Sequence, residues 1–289
     1  MAVTESPWGA RATEPKSKWQ SRRAQHRGKR TGLTRAHKSV LQITSVVVFL
    51  AIWQVVGSHT NPLLFATPLK VVDAFVDLIR NGQLGAALPI AAEDFLGGFL
   101  LSAIVGITVG ILIGRSERLE AILDPYVNLA MATPLVALIP LLIIWAGIGY
   151  EARLLTVFIL AVFTVIVNTA TGVKSTPRVL REVALVYHLP KYRVLKEIMI
   201  PNAVPNIFAG LRLSIGKCLI GMIIAEMEVS VSGLGGLIFN YGNQFATADL
   251  LAGVFLASVF GVISMALLAG AQKHYFPWVA ATTQLNSRG

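Results

Sequence analysis

Six stretches of this chain are apolar enough, and long enough, to cross a lipid bilayer, and that single feature restricts it to a helical bundle. A spanning helix needs roughly 20 apolar residues, because every backbone polar group must be satisfied internally in lipid. The stretches fall near residues 40–57, 95–114, 122–144, 154–173, 207–225 and 250–271. Hydrophobic residues make up 54% of the 289 and charged residues 14%, which excludes an ordinary soluble domain. The fold class that follows is an all-α integral membrane protein with six transmembrane helices. Its expected organisation is a basic N-terminal arm over 1–38, a membrane domain over 39–272 and a tail over 273–289.

The basic residues orient the bundle. Ten Lys and Arg lie in residues 1–38, and more in the loops near 115–118 and 174–196 and in the tail. Only Lys70, Arg80 and Arg153 fall on the other side, so both termini and the loop 174–206 are expected in the cytoplasm. The net charge of +10 is thus a topology signal and an attraction to lipid, and no binding fold for nucleic acid accompanies it. The one cysteine, Cys218, lies in the fifth span, so neither a disulfide framework nor a metal cluster is expected. Residues 210–218 only faintly suggest a phosphate loop: the spacing is one residue too long and no strand precedes it. No catalytic constellation is recognisable, and the chain reads as non-enzymatic.

Several side chains inside the spans ask for a role. Gly98, Ser102, Gly106, Gly110 and Gly114 recur every fourth residue in span two, the pattern of a close helix contact. Thr133, Pro134 and Pro140 interrupt span three, and freed carbonyls there need protein or a water-filled cavity beside them. Thr164 and Asn168 lie one turn apart in span four, as interhelical glue or as ligand contacts. Lys217 and Glu226 sit nine residues apart in span five, on opposite faces at 100° per residue, and each needs a partner elsewhere. All seven are candidates for a translocation path, with a structural ion pair as the competing reading for the two charges. Residues 68–80 form an amphipathic helix suited to the outer membrane surface.

Between spans four and five the chain reads REVALVYHLPKYRVLKEIMIPNAVPNIFAGLR over residues 181–212. Residues 182–189 form a short helix, Pro190 restarts a second, and Pro201 and Pro205 are expected to close it before the span. Two short helices on a rigid bend suit a docking surface, and they equally suit a segment lying on the membrane.

Glu182, Ala184, His188, Ile198 and Pro201 resemble the EAA signature of permease subunits in ATP-binding-cassette importers. That signature reads Glu-Ala-Ala, three residues, Gly, nine or so residues, then Ile-x-Leu-Pro. Stretches at 123–129, 140–149, 205–217, 225–238 and 245–254 are similar to the nitrate, sulfonate and taurine branch. The resemblance implies a type I importer permease fold with cytoplasmic coupling helices, in the inner membrane of a bacterium. It also implies a second permease subunit (a homodimer), two ATPase subunits that bind the ATP and magnesium, and an extracytoplasmic solute-binding protein. The chain itself then needs no cofactor. ATPase docking would fall on Arg181, Glu182, Val183, Ala184, Tyr187, His188, Leu189 and Pro190, with Ile198 and Pro201 downstream. This chain departs from the pattern at Val183, at His188 in place of glycine, and at Met131 and Leu135, where many relatives carry basic residues.

A secondary transporter or channel is the alternative, but it predicts an internal repeat, and none is evident between 40–144 and 154–271. Eight carboxylates against three basic residues on the outer face argue against an oxyanion as solute.

Overall fold

The computed structural model describes residues 35–61 and 63–277. Most of the expected N-terminal arm and most of the tail lie outside the described residues. The chain divides into two compact units, the first ending at Ile52 and the second beginning at Trp53. In the first unit, α1 (Arg35–Ser58) begins, and its Val47, Phe49 and Ile52 are exposed, as lipid-facing side chains are.

The second unit is built on α3 (Gln83–Arg115), α6 (Tyr150–Lys174), α8 (Lys191–Glu228) and α10 (Thr247–Tyr275). Five helices among the described residues are long and apolar enough to cross a membrane, counting the α1 stretch Ser39–Ser58. A sixth crossing exists if α4 (Glu117–Ala132) and the segment Leu135–Ala146, which ends in α5 (Ile139–Ala146), count together. These two are bent by 91°, so the expected third span is two pieces rather than one rod. The reason is local. Thr133, in an extended conformation, closes α4 with its hydroxyl on the Leu129 carbonyl at 2.8 Å, Pro134 follows, and Pro140 enters the first turn of α5, where its missing N–H costs nothing.

The small-residue row of α3 does what its spacing predicts. A Cβ at Gly106 would lie 2.6 Å from Val165 Cβ, one at Gly110 2.6 Å from Thr169 Cβ, and one at Gly114 2.6 Å from Val173 Cβ. Ser102 donates to the carbonyls of Gly98 (2.7 Å) and Phe158 (3.2 Å). The partner row on α6 rises at the same interval, so α3 and α6 run parallel and touch backbone to side chain along their length. The next contact is antiparallel: Gly172 of α6 meets Ala203 and Asn206, while Gly210 of α8 meets Asn168. These seams bury Val157, Val165, Ala203, Ile215, Cys218 and Met222 as the core.

At the end carrying Tyr150 and Glu228, two short helices cover the bundle. α2 (Pro68–Arg80) starts at Thr67, whose hydroxyl accepts from Lys70 N, with Pro68 in its first turn. Part of its apolar surface packs on the bundle, where Ala74 and Leu78 are buried in the core cluster and Phe75 meets Phe255 edge to face, while Leu69, Val72 and Ile79 stay exposed. The second is α9 (Gly233–Asn243), which lies between the fifth and sixth apolar stretches.

Candidate functional site

At the opposite end, Lys174 and Ser175 terminate α6, and Pro177 precedes α7 (Arg178–Val186). Arg181 reaches back to the Lys174 carbonyl at 2.9 Å, and Ala184, 1% exposed, anchors the helix. The helix ends in a Schellman pair: Leu189 N–H donates to Ala184 O at 2.9 Å and His188 N–H to Leu185 O at 3.0 Å. That closure forces the intervening residue into the left-handed region, and His188 has φ 51°. A non-glycine residue is disfavoured there by about 1–2 kcal/mol, with histidine among the better tolerated types. The glycine in the motif that this loop resembles therefore answers a backbone demand, which His188 meets under strain. Replacing His188 with glycine is expected to keep or raise the thermal midpoint of the purified chain, and His188→Val to lower it; equal midpoints for all three would remove the strain argument.

Val179, Val183, Val186 and Tyr187 stay exposed on one side of this turn, at 67%, 46%, 75% and 75%. These apolar side chains form an exposed cluster on a short helix at this end of the bundle. Pro190 then caps the start of α8, where the structure corrects the sequence reading: Pro201 and Pro205 do not close a second helix. α8 continues through both to Glu228, with a π-helical stretch at Val194–Met199. A proline ring clashes with the carbonyl four residues back. For Pro201 that carbonyl belongs to Glu197, inside the widened turns, which make room for it. Ile198 and Pro201 thus lie in α8, away from the exposed turn, beside Met199, which is buried against the α6 end.

The path candidates separate. Asn168 donates to the Thr164 carbonyl at 2.8 Å within α6, and its Cβ faces Gly210, at the α6–α8 seam. Pro134 and Pro140 are exposed on the bent segment and Thr133 is half-buried. Lys217 and Glu226 do take opposite faces. Lys217 is exposed, with no carboxylate of the described residues within 4.0 Å. Glu226 is fully buried, and its partner is a backbone group rather than a charge: Gly235 N–H donates to Oε2 at 2.6 Å, while Oε1 has no partner. Gly233, at φ 61°, packs directly on this carboxyl group, so a side chain there would be strained in backbone and blocked in space.

Sequence reasoning missed the neighbouring ion pair. Arg153 Nε meets Asp94 Oδ2 at 2.7 Å, and its Nη1 donates to Ser230 Oγ at 2.7 Å. On the sequence Asp94 counts among the eight outer-face carboxylates, yet α3 begins at Gln83 and carries it into the bundle with no exposed surface. The helix-forming run Ala-Ala-Glu-Asp at 91–94 was the available signal.

Residues 106–280, more than half the chain, match the family described as binding-protein-dependent transport system inner membrane component. This chain belongs to that family. It is 33% identical, over 80% of its length and 84% of the relative's, to a protein described as an aliphatic sulfonates transport permease, SsuC of Bacillus subtilis (strain 168). The bicarbonate transport system permease protein CmpB of Synechococcus elongatus (strain ATCC 33912 / PCC 7942 / FACHB-805) is 31% identical over 81% of this chain and 88% of its own. The taurine transport system permease protein TauC of Escherichia coli (strain K12) is 27% identical over 82% and 89%. Among solved structures, inward-facing MetNI methionine ABC transporter superposes with a TM-score of 0.52 at 19% identity, covering 66% of this chain and 92% of that one. An amino acid ABC transporter crystallised with histidines gives 0.54 at 14%, covering 70% and 96%. These share the fold. The chain is a multi-pass permease subunit of an ABC importer, and the type I importer architecture expected from the sequence holds.

Proposed function

We propose that this permease carries a small solute of the sulfonate, taurine, nitrate or bicarbonate kind across a bacterial inner membrane, driven by ATPase subunits gripping the 181–190 turn. Two copies of the chain would enclose the pathway, both termini would face the cytoplasm, and an extracytoplasmic binding protein would deliver the solute. The observation that carries this reading is the α7 turn, whose exposed Val179, Val183, Val186 and Tyr187 ride on a rigid Schellman closure at one end of the bundle. Such a handle transmits a push only if its geometry is fixed, and ligand-dependent contacts in the partner then bias one state of the bundle over another. Glu182 stands on this exposed face. Arg181, Ala184 and Leu189 hold the turn to the helix ends.

The outer charge favours an anion less poorly than a sequence count implies. Asp94 is neutralised by Arg153, and Glu226 is removed from the surface, so neither faces an arriving solute. A single assay tests the whole reading. The complex reconstituted in liposomes with its native ATPase and binding protein is expected to accumulate labelled taurine or a sulfonate only with ATP inside. Full uptake without ATP would replace this account with a channel or secondary transporter. The handle is tested separately: Val186→Asp or His188→Trp is expected to lose the ATPase on co-purification while His188→Gly keeps it. Retention by the aspartate and tryptophan variants would place docking elsewhere.

A further inference from the structure

Two adjoining cavities of about 670 and 640 Å³ lie between the α3–α4 corner and the inner side of α7, sharing Arg115, Ser116, Arg181 and Lys191 as walls. One half is basic. Arg115, Arg118, Arg181 and Lys191 line the pair of cavities, and no carboxylate of the described residues pairs with any of them. Lys174 also lines it but is held by Glu120 at 2.7 Å, which leaves Glu117 as the only other acid on that wall. Arg181, which lines both cavities, has a buried Nε with no hydrogen-bond partner, an uncompensated donor. The other half is apolar, walled by Leu185, Leu189, Leu195 and Met199.

A cluster of guanidinium and ammonium groups joined to a hydrocarbon trough calls for a ligand that is anionic at one end and apolar at the other. Arginine pairs bind phosphate oxygens by parallel N–H donors, and basic pockets at helix ends on a membrane surface take phospholipid head groups. We propose that this is a site for an anionic glycerophospholipid, its phosphodiester between Arg115, Arg118, Arg181 and Lys191 and an acyl chain along Leu185, Leu189 and Leu195. A free phosphate would leave the apolar half unused. A protein partner would approach the other side of α7: Arg181, Ala184 and Leu185 lie on the cavity face, roughly half a turn from Val179, Val183 and Val186. Lipid and ATPase would therefore occupy different faces of one helix, and the lipid would wedge α7 against the ends of α3 and α4. The assignment of the lipid to the inner leaflet rests on the orientation proposed above; binding itself does not.

The test uses the full chain in a neutral maltoside detergent, titrated with dioleoyl phosphatidylglycerol or dioleoyl phosphatidylcholine and followed by native mass spectrometry. The wild type is expected to prefer phosphatidylglycerol by about tenfold, because basic side chains near a membrane surface attract anionic lipid. Arg115→Gln with Arg118→Gln, both exposed positions that should not disturb folding, is expected to reduce the preference at least threefold, and adding Lys191→Gln to abolish it. Arg178→Gln with Lys196→Gln, outside the cavities, is expected to leave it intact. Equal binding of both lipids, or the same preference in the triple variant, overturns the proposal. Displacement of the lipid by inorganic phosphate at matching concentration overturns the lipid source and assigns the cations to a free anion. ATPase attachment is not read in this assay, so failure here leaves the coupling reading standing, and the reverse.

Discussion

Arg153→Met is expected to destabilise the protein by about 3–5 kcal/mol, the usual cost of leaving a buried charge without its partner. Asp94 has no exposed surface and one carboxylate oxygen already lacks a partner, so it depends on the guanidinium for compensation. Loss of Arg153 also removes its hydrogen bond to Ser230, which ties the segment between α8 and α9 to α6. Removing both charges together, Asp94→Leu with Arg153→Met, is expected to recover most of the loss, because the desolvation cost disappears with the pair. Denaturation of the detergent-purified chain as a double-mutant cycle measures this directly. Should Arg153→Met alone unfold at the wild-type midpoint, the pair contributes nothing to the stability of this end of the bundle.

Gly110→Ala is expected to be strongly destabilising. Its Cβ would lie 2.6 Å from Thr169 Cβ and 2.7 Å from the Ile166 carbonyl oxygen. The carbonyl is backbone and cannot rotate away, so α3 and α6 must separate along a seam that is in contact at Gly98, Gly106 and Gly114 as well. Overpacking of this kind costs about 1–3 kcal/mol where side chains can shift, and the upper end applies where they cannot. Gly85→Ala in the same helix meets nothing within 4 Å and serves as the control, expected to be neutral or mildly stabilising. The comparison is read as yield of folded protein and unfolding midpoint. Similar behaviour of the two variants would remove the seam from the stability of the bundle.

Much of this was visible in the residues themselves. Apolar runs located the crossings, and the four-residue spacing of small side chains located the α3–α6 contact, because both depend only on helix geometry. The break of span three was legible at Pro134. Other features depend on what the chain meets in space. Proline usually ends a helix, and Pro201 does not because the π turns upstream widen the backbone around it. Asp94 looked like a surface acid since its partner is 59 residues away on another helix. The buried state of Glu226 was equally hidden, as its hydrogen-bond donor is the N–H of a glycine nine residues on. At the α7 turn, the resemblance drew attention to His188 while only the backbone angle explained why glycine belongs there.

From Gly98 to Gly114 the parallel pair stays in register for about 24 Å at 1.5 Å per residue. With side-chain carbons seated on bare backbone at every turn, neither rod can slide or twist past the other without collision. They must swing as a single lever. Breaks in regular geometry lie on the neighbouring elements, at the 91° corner after Ala132 and in the widened coil at 194–199.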